Sequence, residues 1–145
     1  VLGRLLIIGG VKIDYEYGLQ GHSDADVLIH AIIDALLGAA GLGDIGQHFP
    51  DTDKTFKDIN SRKLLRTVVE TLKSNNYIIG NIDATIICEA PKMQSYIKQM
   101  IANIADDCMC DLSNVNIKAT STEKLGFIGR SEGVAAQAIC LIETV

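Results

Sequence analysis

The chain has 145 residues, of which 48% are hydrophobic and 21% are charged, and its formal net charge is −5. These values suit one folded domain over residues 1–145 and exclude a disordered chain. The apolar runs are too short to cross a bilayer, and the acidic charge argues against general nucleic-acid binding. An anionic small molecule stays compatible, because a few backbone amides, one or two cations and a metal can hold it.

The four cysteines contain no CxxC pair. Cys108 and Cys110 form a CxC that lacks a second half with metal-site spacing, so we interpret the cysteines as reduced and mostly packed thiols. The chain begins at Val1 without a Met and enters an apolar run almost at once. We therefore expect that an N-terminal segment is missing from the sequence.

The predicted elements alternate between strands and helices along the chain. Extended segments at 4–10 and 11–17 meet at a Gly-Gly turn, and Ser23 to Asp26 matches a capping box, with Ser23 as N-cap of a helix that runs to about Ala40. The further elements are a loop at 44–56, a helix at 61–75, a strand at 77–88, a helix at 94–106, a strand at 114–120, a loop with at most one helical turn at 121–129 and a strand at 133–144.

This alternation, without repeats or linkers, predicts an α+β (two-layer α/β) domain with a mixed sheet and helices on one face. The opposite face of such a sheet also has to be buried. Packing of sheets between subunits achieves this at little cost, so we predict a homo-oligomer.

The first candidate site lies on the first helix. Asp26, His30 and Asp34 are spaced by four residues and share one helix face, and His22 precedes the N-cap. An imidazole with a carboxylate one turn away is a common arrangement for a metal ligand, with Asp34 as the orienting partner of His30. The alternative is a hydrogen-bonded core histidine beside capping aspartates, because one His cannot hold a metal by itself.

Three loops carry further polar groups. Asp44 stands between two glycines and can bind hydroxyl groups, and Lys92 is presented by a rigid turn. The stretch from Lys118 to Arg130 places three consecutive hydroxyls after a strand, followed by a carboxylate and two cations. The last set suits a diphosphate with its own metal ion. Turn residues, a solvated lysine and a helix cap are the simpler alternatives. No nucleophile triad is present, which favours electrostatic phosphoryl chemistry over covalent catalysis.

Six strings follow one another with characteristic spacing from Ile8 to the final strand. They are HSDADV from His22, HAIIDALLGAA from His30, LGDIG from Leu42, FPDTD from Phe49, APKM from Ala90 and KATSTEKLGF from Lys118. Together they resemble the 2-C-methyl-D-erythritol 2,4-cyclodiphosphate synthases. Each string alone is weak evidence, whereas all six in order are specific.

The resemblance implies a phosphorus–oxygen lyase of the non-mevalonate route of isoprene biosynthesis. In this family the 2-phosphate of the substrate attacks the β-phosphorus of its cytidine diphosphate group, CMP leaves and a cyclic diphosphate forms. The resemblance also implies a homotrimer with shared active sites, Zn²⁺ or a similar ion, and a second ion that is Mg²⁺ or Mn²⁺. Neither a nucleic acid nor a membrane is an expected partner, and the expected location is cytoplasmic, with a plastid-type organelle as the alternative.

The resemblance also assigns roles to individual residues. It implies His30 as a zinc ligand, Glu123 as a ligand of the second ion, and His22 and Ser121 as groups that stabilise the transition state. The implied substrate-binding residues are His22, Ser23, Asp44, Ile45, Gly46, Phe49, Pro50, Asp51, Thr52, Asp53, Cys88, Glu89, Ala90, Pro91, Lys92, Met93, Gln94, Thr120, Ser121, Thr122, Glu123, Phe127 and Arg130. Of these, 88–94 would line a cytidine pocket and 120–123 would meet the diphosphate, whereas Phe127 and Arg130 would lie near a subunit interface, where some relatives hold an isoprenoid phosphate.

Two departures from the family pattern keep other functions open. The family's other zinc ligands form an Asp-x-His triplet, and no such triplet precedes Gly9. Ser121 stands where the family usually has Thr, which keeps the hydroxyl donor. A non-catalytic trimeric binding protein for isoprenoid or nucleotide phosphates is therefore an alternative. A zinc hydrolase is a weaker one, because it needs an HExxH motif or a multi-histidine cluster.

Overall fold

The structure, a computed structural model, describes residues 2–18, 25–56 and 59–145. Its strands are β1 (Leu6–Ile8), β2 (Val11–Ile13), β3 (Tyr77–Ile87), β4 (Val115–Thr120) and β5 (Ala135–Thr144). Its helices are α1 (Val27–Ala39), α2 (Ile45–His48), α3 (Ser61–Ser74), α4 (Ile97–Cys108) and α5 (Gly126–Gly129), with 3-10 turns at Lys54–Phe56, Gln94–Tyr96 and Leu112–Asn114.

Three strands form the main sheet in the order β4-β3-β5. Strands β3 and β4 are parallel, with Ile82 opposite Val115 and Ile87 opposite Thr120. Strand β5 runs antiparallel to β3, and the register shifts at Gly80. Because β3 and β4 are parallel, their carboxyl ends meet at the same edge of the sheet.

Helices cover one face of this sheet. The inward side chains of β3 alternate along the strand and are buried, and α1 contributes six fully buried apolar side chains to the same core. The opposite face leaves Ile139 and Leu141 69% and 68% exposed. The predicted α+β fold with a mixed sheet and helices on one face is confirmed. Within the described ranges, no helix combines the length and hydropathy that a membrane crossing requires.

Local signals explain the boundaries of α3. Asn60 caps its start, where the side-chain oxygen accepts a hydrogen bond from the backbone N–H of Arg62 at 2.8 Å. The buried residues recur every three or four positions, so one stripe of the helix faces the core. The helix ends where Asn76 takes a left-handed conformation with φ of 64°. The predicted helix at 61–75 is confirmed.

Helix α1 begins later than the capping-box pattern predicts. Ala25 has φ of 59°, and Asp26 is itself the N-cap, with Oδ1 accepting from the N–H of Ile29 at 3.0 Å. The prediction that Asp26 occupies the third helical position is wrong, and Ser23 lies outside the described residues. Asp26 is fully buried and also accepts from the N–H groups of Gly9 and Gly10, at 2.9 and 2.7 Å. One carboxylate therefore ties the β1–β2 turn to the start of α1.

A buried ion cluster joins α3 to α4. Asp107 is 2% exposed and accepts from Arg62 Nε at 2.7 Å and from Arg66 Nη1 at 2.8 Å. The hydrogen bond that Arg62 donates to Asp107 raises the pKa of Arg62. The charge of this buried carboxylate is thus compensated by two guanidinium groups of α3, which ties the two helices together.

Candidate functional site

A cavity of about 320 Å³ lies between the segments that follow β3 and β4. Its lining residues are Cys88, Glu89, Pro91, Lys92, Met93, Gln94, Ala119, Thr120 and Ser121. The parallel pairing continues past the end of β3, since the N–H of Cys88 donates to the carbonyl of Thr120 at 2.9 Å. Ligands commonly bind outside the carboxyl ends of parallel strands, and the fold brings two predicted segments together there.

The segment at 88–94 is held as a fixed turn. The Ala90–Pro91 peptide bond is cis, the thiol of Cys88 donates to the carbonyl of Ala90 at 2.9 Å, and Met93 is 3% exposed. Burial raises the pKa of Cys88, so this thiol is protonated at neutral pH. Lys92 is exposed, so the turn presents backbone groups and one cation. Ala90 itself lines a neighbouring cavity of about 290 Å³.

The segment after β4 turns sharply. Glu123 and Lys124 both have left-handed backbone conformations, with φ of 53° and 66°. Ser121 Oγ accepts from the N–H of Glu123 at 3.2 Å, and Thr122 Oγ1 donates to the carbonyl of Leu125 at 2.6 Å. These contacts hold the backbone of Glu123, an exposed residue, against the side chain of Ser121, which lines the cavity.

The candidate metal ligand His30 is half-buried on α1. Its Nε2 atom lies 3.0 Å from the hydroxyl of Ser61, which is fully buried at the start of α3. Asp34, the predicted orienting partner, instead accepts from the N–H of Ile45 at 2.8 Å. The candidates His22 and Ser23 lie outside the described residues. Within 2–18, 25–56 and 59–145, no three His, Cys, Asp or Glu residues form a group that could hold a metal ion.

The predicted substrate loop at 44–53 is more ordered than expected, because it contains α2. Asp44 caps this short helix and accepts from the N–H of Gln47 at 2.9 Å, while Phe49 packs against the core. Asp53 Oδ1 accepts from the N–H of Thr55 at 2.9 Å. The exposed members are Asp44, Gly46, Pro50, Asp51, Thr52 and Asp53, whereas Ile45 is half-buried. None of these residues lines the cavity between 88–94 and 119–121.

Phe127 and Arg130 lie at the surface, away from that cavity. Phe127 is 54% exposed, and its ring flanks Gly133. Arg130 Nε donates to Glu132 at 2.8 Å, and this hydrogen bond raises the pKa of Arg130 and lowers that of Glu132. Their predicted place at a subunit interface stays a prediction.

Two residues near the predicted site were missed. Ala119 lines the cavity, and Ser61 contacts His30 across a separation of 31 residues. The alternation along β4 could have indicated Ala119, since it follows the strand into the hydroxyl-rich segment. Only the packing of α3 beside α1 reveals Ser61.

The fold and the cavity define an α+β protein with a polar ligand site at the carboxyl ends of two parallel strands. The matching family is described as the YgbB family, and its model covers residues 1–143. The chain belongs to this family.

Relatives of known name agree with this assignment. The chain is 64% identical to the 2-C-methyl-D-erythritol 2,4-cyclodiphosphate synthase of Methylobacillus flagellatus over 143 residues, covering 99% of this chain and 89% of the relative. Its fold superposes on the bifunctional IspDF of Campylobacter jejuni with a TM-score of 0.96 and 43% identity, covering 100% of this chain and 39% of that one. It also superposes on IspF of Plasmodium falciparum, solved as a CDP complex, with a TM-score of 0.86, 35% identity and coverage of 97% and 85%.

Proposed function

We propose that residues 1–145 form one catalytic domain that converts 4-diphosphocytidyl-2-C-methyl-D-erythritol 2-phosphate to 2-C-methyl-D-erythritol 2,4-cyclodiphosphate and CMP. Membership of the YgbB family and 64% identity to a synthase of this name support the proposal. The protein is accordingly a lyase of isoprenoid biosynthesis.

The reaction balances without a protein nucleophile. An oxygen of the 2-phosphate forms a bond to the β-phosphorus, and the bond from that phosphorus to the bridging oxygen breaks. CMP leaves with the bridging oxygen and its electron pair. Negative charge is conserved between substrate and products, so no proton has to be removed for bond formation. The task left to the protein is to align the two phosphates and to stabilise the charge on the phosphoryl oxygens.

The cavity between 88–94 and 119–121 is the observation that carries the proposal. Its first wall presents backbone groups and Lys92, which suit a cytosine edge and an anion, and its second wall presents the hydroxyls of Thr120 and Ser121. A nucleotide base and a diphosphate are adjacent parts of one molecule. Two adjoining walls of this kind therefore fit a nucleoside diphosphate better than they fit either part alone. The CDP complex of the Plasmodium falciparum relative agrees with a ligand of this class.

The proposal includes two metal sites. His30 would hold Zn²⁺ together with ligands outside the described residues, and Glu123 would hold Mg²⁺ or Mn²⁺, which prefer carboxylate oxygen. Bound ions would supply positive charge to the phosphoryl oxygens. His22 and Ser23, as substrate-positioning residues, and the loop at 44–53, as the part that meets the sugar, remain proposals of the same kind.

A homotrimer with shared active sites is also part of the proposal. The uncovered sheet face, with Ile78, Ile139 and Leu141 49%, 69% and 68% exposed, supports burial of this face against other copies. Shared sites would explain why 44–53 and the cavity residues do not meet within one chain. A cytoplasmic location is proposed because the relative with 64% identity, from Methylobacillus flagellatus, is bacterial.

The decisive test is CMP release from the 2-phosphorylated substrate by the purified protein. We expect CMP and the cyclic diphosphate, identified by chromatography and ³¹P NMR, to form in equal amounts. A chelator should abolish the reaction, and Zn²⁺ with Mg²⁺ should restore it. Substrate that binds to the folded protein without CMP release would contradict the proposal and support the non-catalytic binding protein instead.

A further inference from the structure

One hydrogen bond joins the two loops that line the cavity. Glu89, in the segment after β3, accepts with Oε1 from the backbone N–H of Lys124, in the segment after β4, at 2.7 Å. The two residues are 35 positions apart. Glu89 is half-buried and lines the cavity, whereas Lys124 is exposed.

The segment that carries Lys124 needs such support because of its backbone conformation. Glu123 and Lys124 are consecutive non-glycine residues in the left-handed region, which L-residues adopt only at a cost. The turn also packs tightly, since a Cβ atom added at Gly129 would collide with the backbone of Lys124. The contacts of Ser121 and Thr122 lie within the segment itself and cannot fix it relative to its neighbour. The carboxylate of Glu89 reaches it from the other loop.

We propose that Glu89 is a positioning residue that sets the 121–126 loop against the 88–94 loop. By holding the N–H of Lys124, it places the hydroxyl of Ser121 and the carboxylate of Glu123. This inference rests on the proposed function, in which the first loop meets the nucleotide and the second meets the diphosphate. This role differs from contact with the nucleotide base. It requires the acceptor oxygen of the Glu89 side chain and does not require its negative charge.

The acceptor and the charge can be separated by substitution. Glu89→Gln keeps an oxygen at the same distance along the side chain and removes the charge, whereas Glu89→Ala removes both. Because Glu89→Ala leaves the N–H of Lys124 without this acceptor, we expect it to lower kcat by about tenfold to a hundredfold. KM should change less, and the Mg²⁺ concentration for half-maximal rate should rise. Glu89→Gln should recover most of the kcat that Glu89→Ala loses. The control Glu70→Ala, which removes an exposed glutamate on α3, should behave like the parent protein.

Amide hydrogen exchange supplies a readout that does not depend on turnover. The segment 121–126 should exchange faster in Glu89→Ala and at the parent rate in Glu89→Gln, while segments of α3 stay unchanged in both. If Glu89→Ala does not fold, Glu89→Asp takes its place in the experiment. The Asp side chain is one methylene shorter, so its carboxylate lies farther from the N–H of Lys124.

Four outcomes are distinguishable. Slow turnover and fast exchange in Glu89→Ala, both restored in Glu89→Gln, support the positioning role. Equal impairment in the two variants overturns it, since the charge would then be the required property, and parental behaviour of Glu89→Ala overturns it as well. A parent protein that releases no CMP would refute the proposed function, while the exchange data would still test the contact.

Discussion

The Nε2 atom of His30 lies 3.0 Å from the hydroxyl oxygen of Ser61, which is fully buried at the first position of α3. The contact fixes the plane of the imidazole against a helix that is itself anchored in the core. Partners of this kind orient a ligating histidine and tune its basicity.

The Ser61–His30 contact predicts a loss of zinc affinity when the hydroxyl is removed. Ser61→Ala should weaken zinc binding by about tenfold to a hundredfold, as is typical when such partners are lost, and His30→Ala should abolish it. Competition with a chelating dye measures the affinity. Thr67→Ala is the matched control, because it removes an exposed hydroxyl from the same helix. Equal zinc affinity in Ser61→Ala and the parent protein would show that the contact has no part in metal binding.

How well the sequence predicts the structure depends on how far apart along the chain the interacting residues lie. Helix α3 was predicted well because its cap, its apolar stripe and its terminating asparagines all lie within the segment. The start of α1 was not, because Asp26 turns its carboxylate to Gly9 and Gly10, which are distant along the chain. A capping pattern in adjacent residues cannot reveal hydrogen bonds from such distant residues.

The candidate site shows the same contrast. The cavity between 88–94 and 119–121 follows from two predicted strands once they pair in parallel, so the fold brings together two segments that the motifs had singled out. The spacing of His30 and Asp34 suggested an orienting pair, but Asp34 bonds to Ile45 and Ser61 contacts the imidazole. Helix periodicity says which side chains share a face, and the neighbouring elements decide which of them meet.

Asp26 is expected to be essential for stability. Asp26→Ala removes the N-cap of α1, which costs about 1 kcal/mol, and leaves the N–H groups of Gly9 and Gly10 without this acceptor at about 1–3 kcal/mol each. We therefore expect a loss of roughly 3 kcal/mol or more in the free energy of unfolding, measured with urea. Asp26→Asn keeps one side-chain oxygen and should lose less. An Ala variant as stable as the parent protein would contradict the role given to this carboxylate.

Glu123 is expected to control the second metal ion without affecting the first. Glu123→Gln removes the negative charge that a hard cation prefers, so the Mg²⁺ concentration for half-maximal rate should rise by about tenfold. The zinc content, measured by elemental analysis, should remain that of the parent protein. Glu70→Gln serves as the control on a distant exposed surface. An unchanged Mg²⁺ requirement would remove Glu123 from the metal site.

The buried thiol of Cys108 predicts an alkaline loss of stability. Burial raises its pKa in the folded state, with Cys110 and Asp107 adding to the effect, and the side chain is 3% exposed. Above the ordinary thiol pKa of about 8.5, the unfolded chain loses this proton while the folded chain keeps it. The contribution of Cys108 to the free energy of unfolding is therefore fully present below that pH. It falls as the pH rises, by about 1.4 kcal/mol per pH unit for one proton. Urea unfolding under reducing conditions at pH 7 to 10 should show a shallower fall for Cys108→Ala, and parallel curves would contradict this.

Ser121 is expected to act in turnover rather than in folding. Its hydroxyl lines the cavity and accepts from the N–H of Glu123. Its removal would deprive the phosphoryl oxygens of a proposed donor and would loosen the loop that carries the proposed metal ligand. Ser121→Ala should lower kcat by about tenfold to a thousandfold, in line with the loss of a donor that stabilises developing charge. Because the residue is exposed, the urea midpoint should change little. Ser121→Thr keeps the hydroxyl and should retain most of the rate. A slow Thr variant together with an active Ala variant would show that the space at this position matters and that the hydroxyl does not.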